Sequence, residues 1–202
     1  QNCFPFRTTN ISSINNGRKL TFVTNIGCGT AMFNSSGGNC FGEQWLELGT
    51  ATQPRGAIAF VGPTSNTHTT YNNKIDLGIY MGMFSEGLDT PGEALLRGKI
   101  NMYNIYGNTT AVAHHFKVYC VLGDPSIHIW KKVPKPVTVT KPDTIYVGLN
   151  QIEIVVKDSV SGFQVPNARV TITGNSFFVT GKTNSLGIAL LTCSPVSEGT
   201  LT

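Results

Sequence analysis

Charge is scarce in this chain: of its 202 residues only 13% are Asp, Glu, Lys or Arg, and the net charge is +4. Arg18-Lys19, Lys131-Lys132 and Lys135 are the only local basic concentrations, and no basic stripe is interleaved with aromatics. Nucleic acid is therefore not an expected partner. Long apolar runs are missing too, so no segment approaches the length of a membrane-crossing helix. The first residues carry neither a charged n-region nor a signal-peptide core. They also lack an initiator Met, and the chain is expected to be a processed or excised piece. Cys-x-x-Cys and Cys/His zinc spacings are absent. Asn184 to Gly187 reads as a turn with too few carboxylates nearby for calcium, so neither a metal nor any other cofactor is expected.

What is present is apolar content enough for a core, at 40%, with 22 glycines and a surface dressed mainly in Asn, Ser, Thr and Gly. That balance favours strands and turns over a helical bundle or a solvating disordered chain. Cysteines stand at 3, 28, 40, 120 and 193. Five is an odd number, so in an oxidising compartment one stays free, and four can pair in three ways. Asn10-Ile-Ser12, Asn34-Ser-Ser36 and Asn108-Thr-Thr110 fit the glycosylation acceptor pattern. Export is the expectation, to an extracellular or cell-surface location.

Two compositional regimes follow one another. Residues 1–132 mix strand-like and helix-like segments. Cys40 to Leu48 carries Phe41, Trp45 and Leu48 at helical spacing, with Glu43 and Glu47 on a solvated side. Gly56 to Gly62 is an apolar strand bounded by glycines. Strand, helix and strand within about forty residues predict a right-handed βαβ unit and a mostly parallel sheet. Ile75 to Phe84 reads as helix. Thr90-Pro91-Gly-Glu93 is a helix start with a capping box, the helix stopping at Gly107. A further helix is expected from Thr109 or Thr110 to about Leu122-Gly123.

Prolines 134, 136 and 142 mark a connector. Residues 133–136 are assigned as linker, and 137–202 show only short alternating strands around Ile152, Val170 and Ile188. These describe an immunoglobulin-like β-sandwich, which usually needs about 100 residues. The remaining length predicts an incomplete sandwich, one able to self-assemble by lending or borrowing strands.

The chemistry-bearing candidate is Cys28. It closes the run from Lys19 to Gly29, in which Leu20, Phe22, Val23 and Ile26 read as a covered strand. Open α/β sheets place ligands at the carboxyl ends of such strands. Gly27 and Gly29 permit unusual backbone angles and close approach of a substrate. A packed core cysteine is the alternative at this position.

Three segments of the first regime resemble the gingipain family of caspase-like cysteine peptidases. Thr24-Asn-Ile-Gly-Cys28-Gly-Thr-Ala-Met-Phe33 is similar to a nucleophile at a strand end. Asn39-Cys-Phe-Gly-Glu43-Gln-Trp-Leu46, leading to Gly56-Ala-Ile-Ala-Phe-Val-Gly62, is similar to the helix and strand that follow. Val121-Leu-Gly-Asp-Pro-Ser126-Ile is close to a segment near the end of the family's catalytic domain, after which an immunoglobulin-like domain comes. The resemblance implies an α/β caspase-like domain, secretion, and peptide-bond hydrolysis through a Cys28 thiolate and an acyl-enzyme. It also implies an oxyanion held by the Cys28 backbone N–H, with Gly29 as possible support. Pro63, Thr64, Ser65, His68 and Thr69 would form a substrate-pocket wall. Peptides or proteins are the implied substrates.

One family element is not matched. The partner histidine lies upstream of the nucleophile, whereas the histidines here are 68, 114, 115 and 128. The base is therefore expected on a preceding segment of the same polypeptide. His68 lies where it could approach Cys28, but a solvated loop histidine is the plainer expectation. His114 and His115 should point to different sides of a helix, one packed and one wet. His128 should sit on the solvent face of a strand, and Asp124 should shape a turn before Pro125. Phe41 and Trp45 are expected in the core, and Cys40 packed or disulfide-bonded. The rival from another class is a catalytically inactive structural or adhesive surface protein that keeps the fold.

Overall fold

The computed structural model describes residues 6–34, 36–174, 177–200 and 202. Cys3, and Ser35 within one glycosylation pattern, lie outside the described residues. The chain divides into two compact units, 1–131 and 132–202.

The first unit begins with α1 (Thr8–Ile11), β1 (Thr21–Thr24), α2 (Phe41–Leu46) and β2 (Ala57–Pro63). It continues with α3 (Thr69–Phe84), α4 (Pro91–Tyr106), α5 (Thr110–Val118) and β3 (Tyr119–Gly123). The sheet order is β1-β2-β3. β1 runs parallel to β2, with Val23 opposite Phe60 and Thr24 opposite Val61, and α2 lies in the connection between them. β1 is only half-buried along its length, less covered than the apolar run suggested. β2 is the central strand, and Ala59, Phe60 and Val61 are sealed from solvent. Each large apolar side chain so buried contributes about 1.5–3 kcal/mol.

The third strand departs from the sequence-based expectation. α5 stops at Val118, and Tyr119–Gly123 pairs antiparallel with β2, Tyr119 opposite Pro63 and Leu122 opposite Phe60. Tyr119 already has extended backbone angles. Tyr, Val and Leu suit a pleated, half-buried surface, and β2 offers ladder partners that a helix end would lack. The described sheet is therefore mixed, with one parallel and one antiparallel pair.

Helix starts follow local chemistry. At α4, Thr90 Oγ1 accepts from the Glu93 N–H (3.4 Å), donates to Glu93 Oε2 (2.7 Å), and Pro91 fills the first turn. At α5, Thr109 Oγ1 accepts from the Val112 N–H. α3 starts six residues earlier than its apolar periodicity suggested, because His68 caps it: Nδ1 accepts from the Thr70 N–H at 3.3 Å. α2 is short, and Glu43 is not merely solvated: its carboxylate accepts from the Cys40 N–H at 2.7 Å.

α3 and α4 approach closely through glycine. A Cβ on Gly98 would lie 2.5 Å from the Ile75 carbonyl oxygen, and one on Gly78 would lie 2.8 Å from Gly98 Cα. Around this contact Ile75, Ile79, Met83, Ala94, Leu95 and Met102 form a core with Val61, Val112 and Tyr119. Phe41 packs edge-on against Phe60, and Trp45 stacks on Phe6; both are partly rather than fully buried. His128 is not in a strand; its Nδ1 sits 3.1 Å from Asp89, while the adjacent Ile129 N–H donates to Asp89 O. Asp124 shapes a turn by accepting from the Ser126 N–H and hydroxyl.

Among the described residues the regular elements of the second unit are strands: β4 (Val137–Thr140), β5 (Asn150–Asp158), β6 (Arg169–Gly174), β7 (Phe177–Lys182) and β8 (Ile188–Cys193). β4-β5-β8 and β6-β7 form two antiparallel sets. Ile152, Ile154 and Val156 from β5 meet Ile172, Leu191 and Cys193 in a shared core, the outcome of period-two alternation on β5. Asn184 closes the β7–β8 turn by accepting from the Leu186 and Ile188 N–H groups. Among the described residues, cysteines 28, 40, 120 and 193 are free thiols.

Candidate active site

Two parallel strands deliver two loops to one rim. β1 ends at Thr24 and β2 at Pro63, and the chain beyond each stays laced to the other. The Asn25 N–H donates to Val61 O (2.8 Å), the Gly29 N–H to Ser65 O (3.1 Å) and the Ala31 N–H to Pro63 O (3.0 Å). Cys28 is on the tip of the first loop and exposed. Gly27 donates to Asn25 Oδ1, and Gly29 turns the chain with φ +65°, a conformation that disfavours a side chain. The apolar run thus ends short of the cysteine, and the thiol stands clear of the core.

Among the described residues the sulfur's partner from the facing loop is Thr67. The Thr67 N–H donates to Cys28 Sγ at 3.3 Å, and in the protonated form the thiol donates to Thr67 O at 3.3 Å. Thr67 Oγ1 lies 3.7 Å away. These contacts hold the thiol below its ordinary value: first the Thr67 N–H, then the Thr67 hydroxyl, then the cysteine's own N–H. Among the described residues that Cys28 N–H has no other partner. Cys40 and Cys120 go the other way, because burial raises both.

Behind Thr67 lies a buried polar layer. Asn72, 2% exposed on the first turn of α3, donates through Nδ2 to Ile26 O (2.8 Å) and Thr67 Oγ1 (2.9 Å). Its Oδ1 and the hydroxyl of Tyr119 are buried without a partner among the described residues. Burial, then the nearby Asp76 and Cys28, keeps Tyr119 protonated well above the ordinary range. Asp76 receives a hydrogen bond from the Thr24 hydroxyl (3.3 Å), yet burial still raises its carboxyl.

The residues expected to form a pocket wall divide. Pro63 is fully buried and its carbonyl is taken by Ala31, so it supports the rim and has no surface for a substrate. Thr64 turns away, its N–H and hydroxyl both donating to Val118 O. Ser65 is half-buried, while His68 and Thr69 are exposed. Gly29 is unsuited to oxyanion support, since its N–H is spent on Ser65 O.

No hydrogen bond joins His68 to Cys28 among the described residues. The His68 ring caps α3, and its backbone N–H donates to His115 Nε2 at 3.1 Å. His115 is 3% exposed and His114 is exposed, one packed and one wet as their adjacency implied. His114 Nε2 donates to Asn66 O at 2.8 Å. Three histidines thus brace the second loop. Among the described residues no cluster of His, Cys, Asp and Glu could hold a metal ion, and no helix is long and apolar enough to cross a membrane. Thr67, Asn72, Asp76 and Tyr119 were not visible as site residues in the sequence.

No curated protein matches the chain. Among solved structures it is similar to the Arg-specific cysteine proteinase gingipain R (RgpB), with a TM-score of 0.74 and 20% identity over 92% of this chain and 42% of that one. It is also similar to the complex of the pro- and mature domains of RgpB from Porphyromonas gingivalis (TM-score 0.73, 20% identity, 92% and 43% covered). A structure titled only as a protease gives 0.69 at 20% identity, with 96% and 45% covered. This chain spans less than half the length of each, and at that identity the likeness is one of fold. The family model for peptidase family C25 matches residues 2–130. The chain belongs to peptidase family C25, the gingipain family, and is related to cysteine peptidases.

Proposed function

We propose that this chain is the nucleophile-bearing part of a secreted cysteine endopeptidase that cleaves peptide or protein substrates outside the cell or at its surface. Residues 1–132 are the peptidase part, 133–136 the linker and 137–202 an immunoglobulin-like sandwich. The observation that supports this most is the setting of Cys28: an exposed sulfur on a two-strand rim, held below the ordinary thiol range, beside its own backbone N–H.

The chemistry is acyl transfer. A base takes the thiol proton, Sγ attacks the scissile carbonyl carbon, and a C–S bond forms as the carbonyl π electrons move to oxygen. The Cys28 N–H faces the developing oxyanion, an interaction worth most where charge appears only in the transition state. The protonated base then gives its proton to the leaving amine. Water, deprotonated by the same base, cleaves the thioester, and the thiol is regenerated. His68 caps α3, and the base, as the resemblance to the gingipain family implies, is a histidine on a preceding segment of the same polypeptide. Ser65, His68 and Thr69 border the path of the substrate.

The test is hydrolysis by the full-length polypeptide. Cys28→Ala and iodoacetamide should each abolish cleavage of a peptide library. Undiminished cleavage by the Ala variant, or Cys28 found in a disulfide in the purified protein, would remove the peptidase role. A second reading, an inactive surface protein that shares strands with neighbours, is favoured by β4, whose Val137 and Val139 are about half exposed beside a cavity of about 680 Å³ lined by both apolar and charged residues. A parent polypeptide without a His-Gly strand end before residue 1, together with Cys28-independent self-association, would select it.

A further inference from the structure

The second loop reaches the sulfur through a chain of donors that begins inside the protein. Asn72 Nδ2 donates both to Ile26 O, two residues before Cys28, and to Thr67 Oγ1, on the opposite loop. A buried amide therefore ties the two loops together. Nδ2 occupies a lone pair of Thr67 Oγ1, and the Thr67 hydroxyl proton then has Cys28 Sγ at 3.7 Å and the buried Tyr119 hydroxyl within its reach. The Thr67 N–H points at the same sulfur from 3.3 Å. An ionised sulfur accepts both as charge-assisted bonds, whereas a protonated one accepts them only weakly.

We propose that Thr67 and Asn72 are positioning residues for the Cys28 sulfur, Asn72 orienting the Thr67 hydroxyl so that Thr67 presents two donors to Sγ. The role rests on Cys28 being the reactive sulfur. It is independent of where the base lies, because the donors belong to this chain. Thr67 sets how much of the sulfur is ionised before any histidine acts, and Asn72 does so only through Thr67.

The experiment is the pH dependence of Cys28 alkylation by iodoacetamide, read at Cys28 by peptide mass spectrometry on the full 202-residue chain. Thr67→Val keeps the shape and the N–H but removes the hydroxyl. It should raise the midpoint by about half to one unit, slowing alkylation at neutral pH about three- to tenfold. Thr67→Ser should keep the original profile. Asn72→Leu should raise the midpoint similarly alone and add little in the Thr67→Val background. An unchanged midpoint in Thr67→Val overturns the proposal. So does an Asn72→Leu shift that is fully additive with Thr67→Val, which marks general loosening of the loops. If Asn72→Leu does not fold, the Val and Ser pair decides. Since no substrate is cleaved, failure here leaves the peptidase assignment standing, and an inactive full-length polypeptide leaves these shifts intact.

Discussion

The backbone N–H of His68 donates to Nε2 of His115 across 47 residues of sequence, at 3.1 Å. The other ring nitrogen of His115 lies 2.6 Å from Ala111 O, within its own helix. A carbonyl oxygen only accepts, so Nδ1 carries the proton and Nε2 is bare, the one tautomer that serves both partners. The ring also lies 4.7 Å from that of Tyr71, at 37°. A buried histidine of this kind fixes the loop that meets Cys28 and does no chemistry itself.

Removing that acceptor should be felt in stability. His115→Phe keeps an aromatic ring beside Tyr71 but leaves the His68 N–H without its partner, at a cost of about 1–3 kcal/mol. Urea denaturation followed by circular dichroism measures it. His115→Gln, which retains an acceptor, should recover part of the loss. Equal midpoints for the Phe variant and the parent would show that the bond contributes nothing.

Gly98 is the contact point of α3 and α4, and any Cβ there meets the Ile75 carbonyl oxygen at 2.5 Å. Backbone cannot step aside as a side-chain end can. Gly98→Ala should therefore destabilise by about 1–3 kcal/mol through overpacking, despite the better helix propensity of alanine. A thermal midpoint at or above that of the parent would contradict this close packing.

The thiols should label in a set order. Thr67 and the cysteine's own N–H draw Cys28 down, while burial raises Cys40 and Cys120. With iodoacetamide limiting at pH 7, Cys28 should be modified at least about tenfold faster than either, since the thiolate is the nucleophile. Peptide mapping after brief exposure gives the order. Comparable rates at Cys40 or Cys120 would contradict the electrostatics described.

Asp76 supplies a pH prediction with a definite sign. Burial raises its carboxyl above the ordinary 3.8, with the Thr24 hydroxyl opposing. A raised folded value means that protonation favours the native state below about pH 4, and that this contribution is lost as pH rises through the folded value. Asp76→Asn keeps an acceptor for Thr24 and has no charge to desolvate. It should be the more stable form at pH 7, by no more than about 1 kcal/mol because the site is only part-buried. The difference should vanish toward pH 3. A constant difference across that range would show that Asp76 ionisation is not involved.

Much of the local structure could be read from the chain. The Thr90-Pro91-Gly-Glu93 start, the alternation along Ile152, Ile154 and Val156, and the strand from Ala57 all arise from contacts a few residues apart. So does the turn that carries Cys28, because glycines on both sides of it are visible without a fold. Thr67 was not legible. It is one of several threonines in a run of Thr, Ser and Asn, and what distinguishes it is a backbone N–H aimed at a sulfur 39 positions away. Asn72 looks like any polar residue in a first helical turn until Ile26 is found beside it.

The amino-acid order by itself determined that strand, helix and strand would come in succession, where α4 and α5 would begin, and that a thiol would follow a strand end. Which way Tyr119–Gly123 would run, which donors would face that thiol, and that the His68 N–H would be held by His115 were decided only in three dimensions. The physical reason is range. Capping and periodicity act within a turn or two, whereas ladder partners and buried hydrogen bonds exist only once distant segments have met.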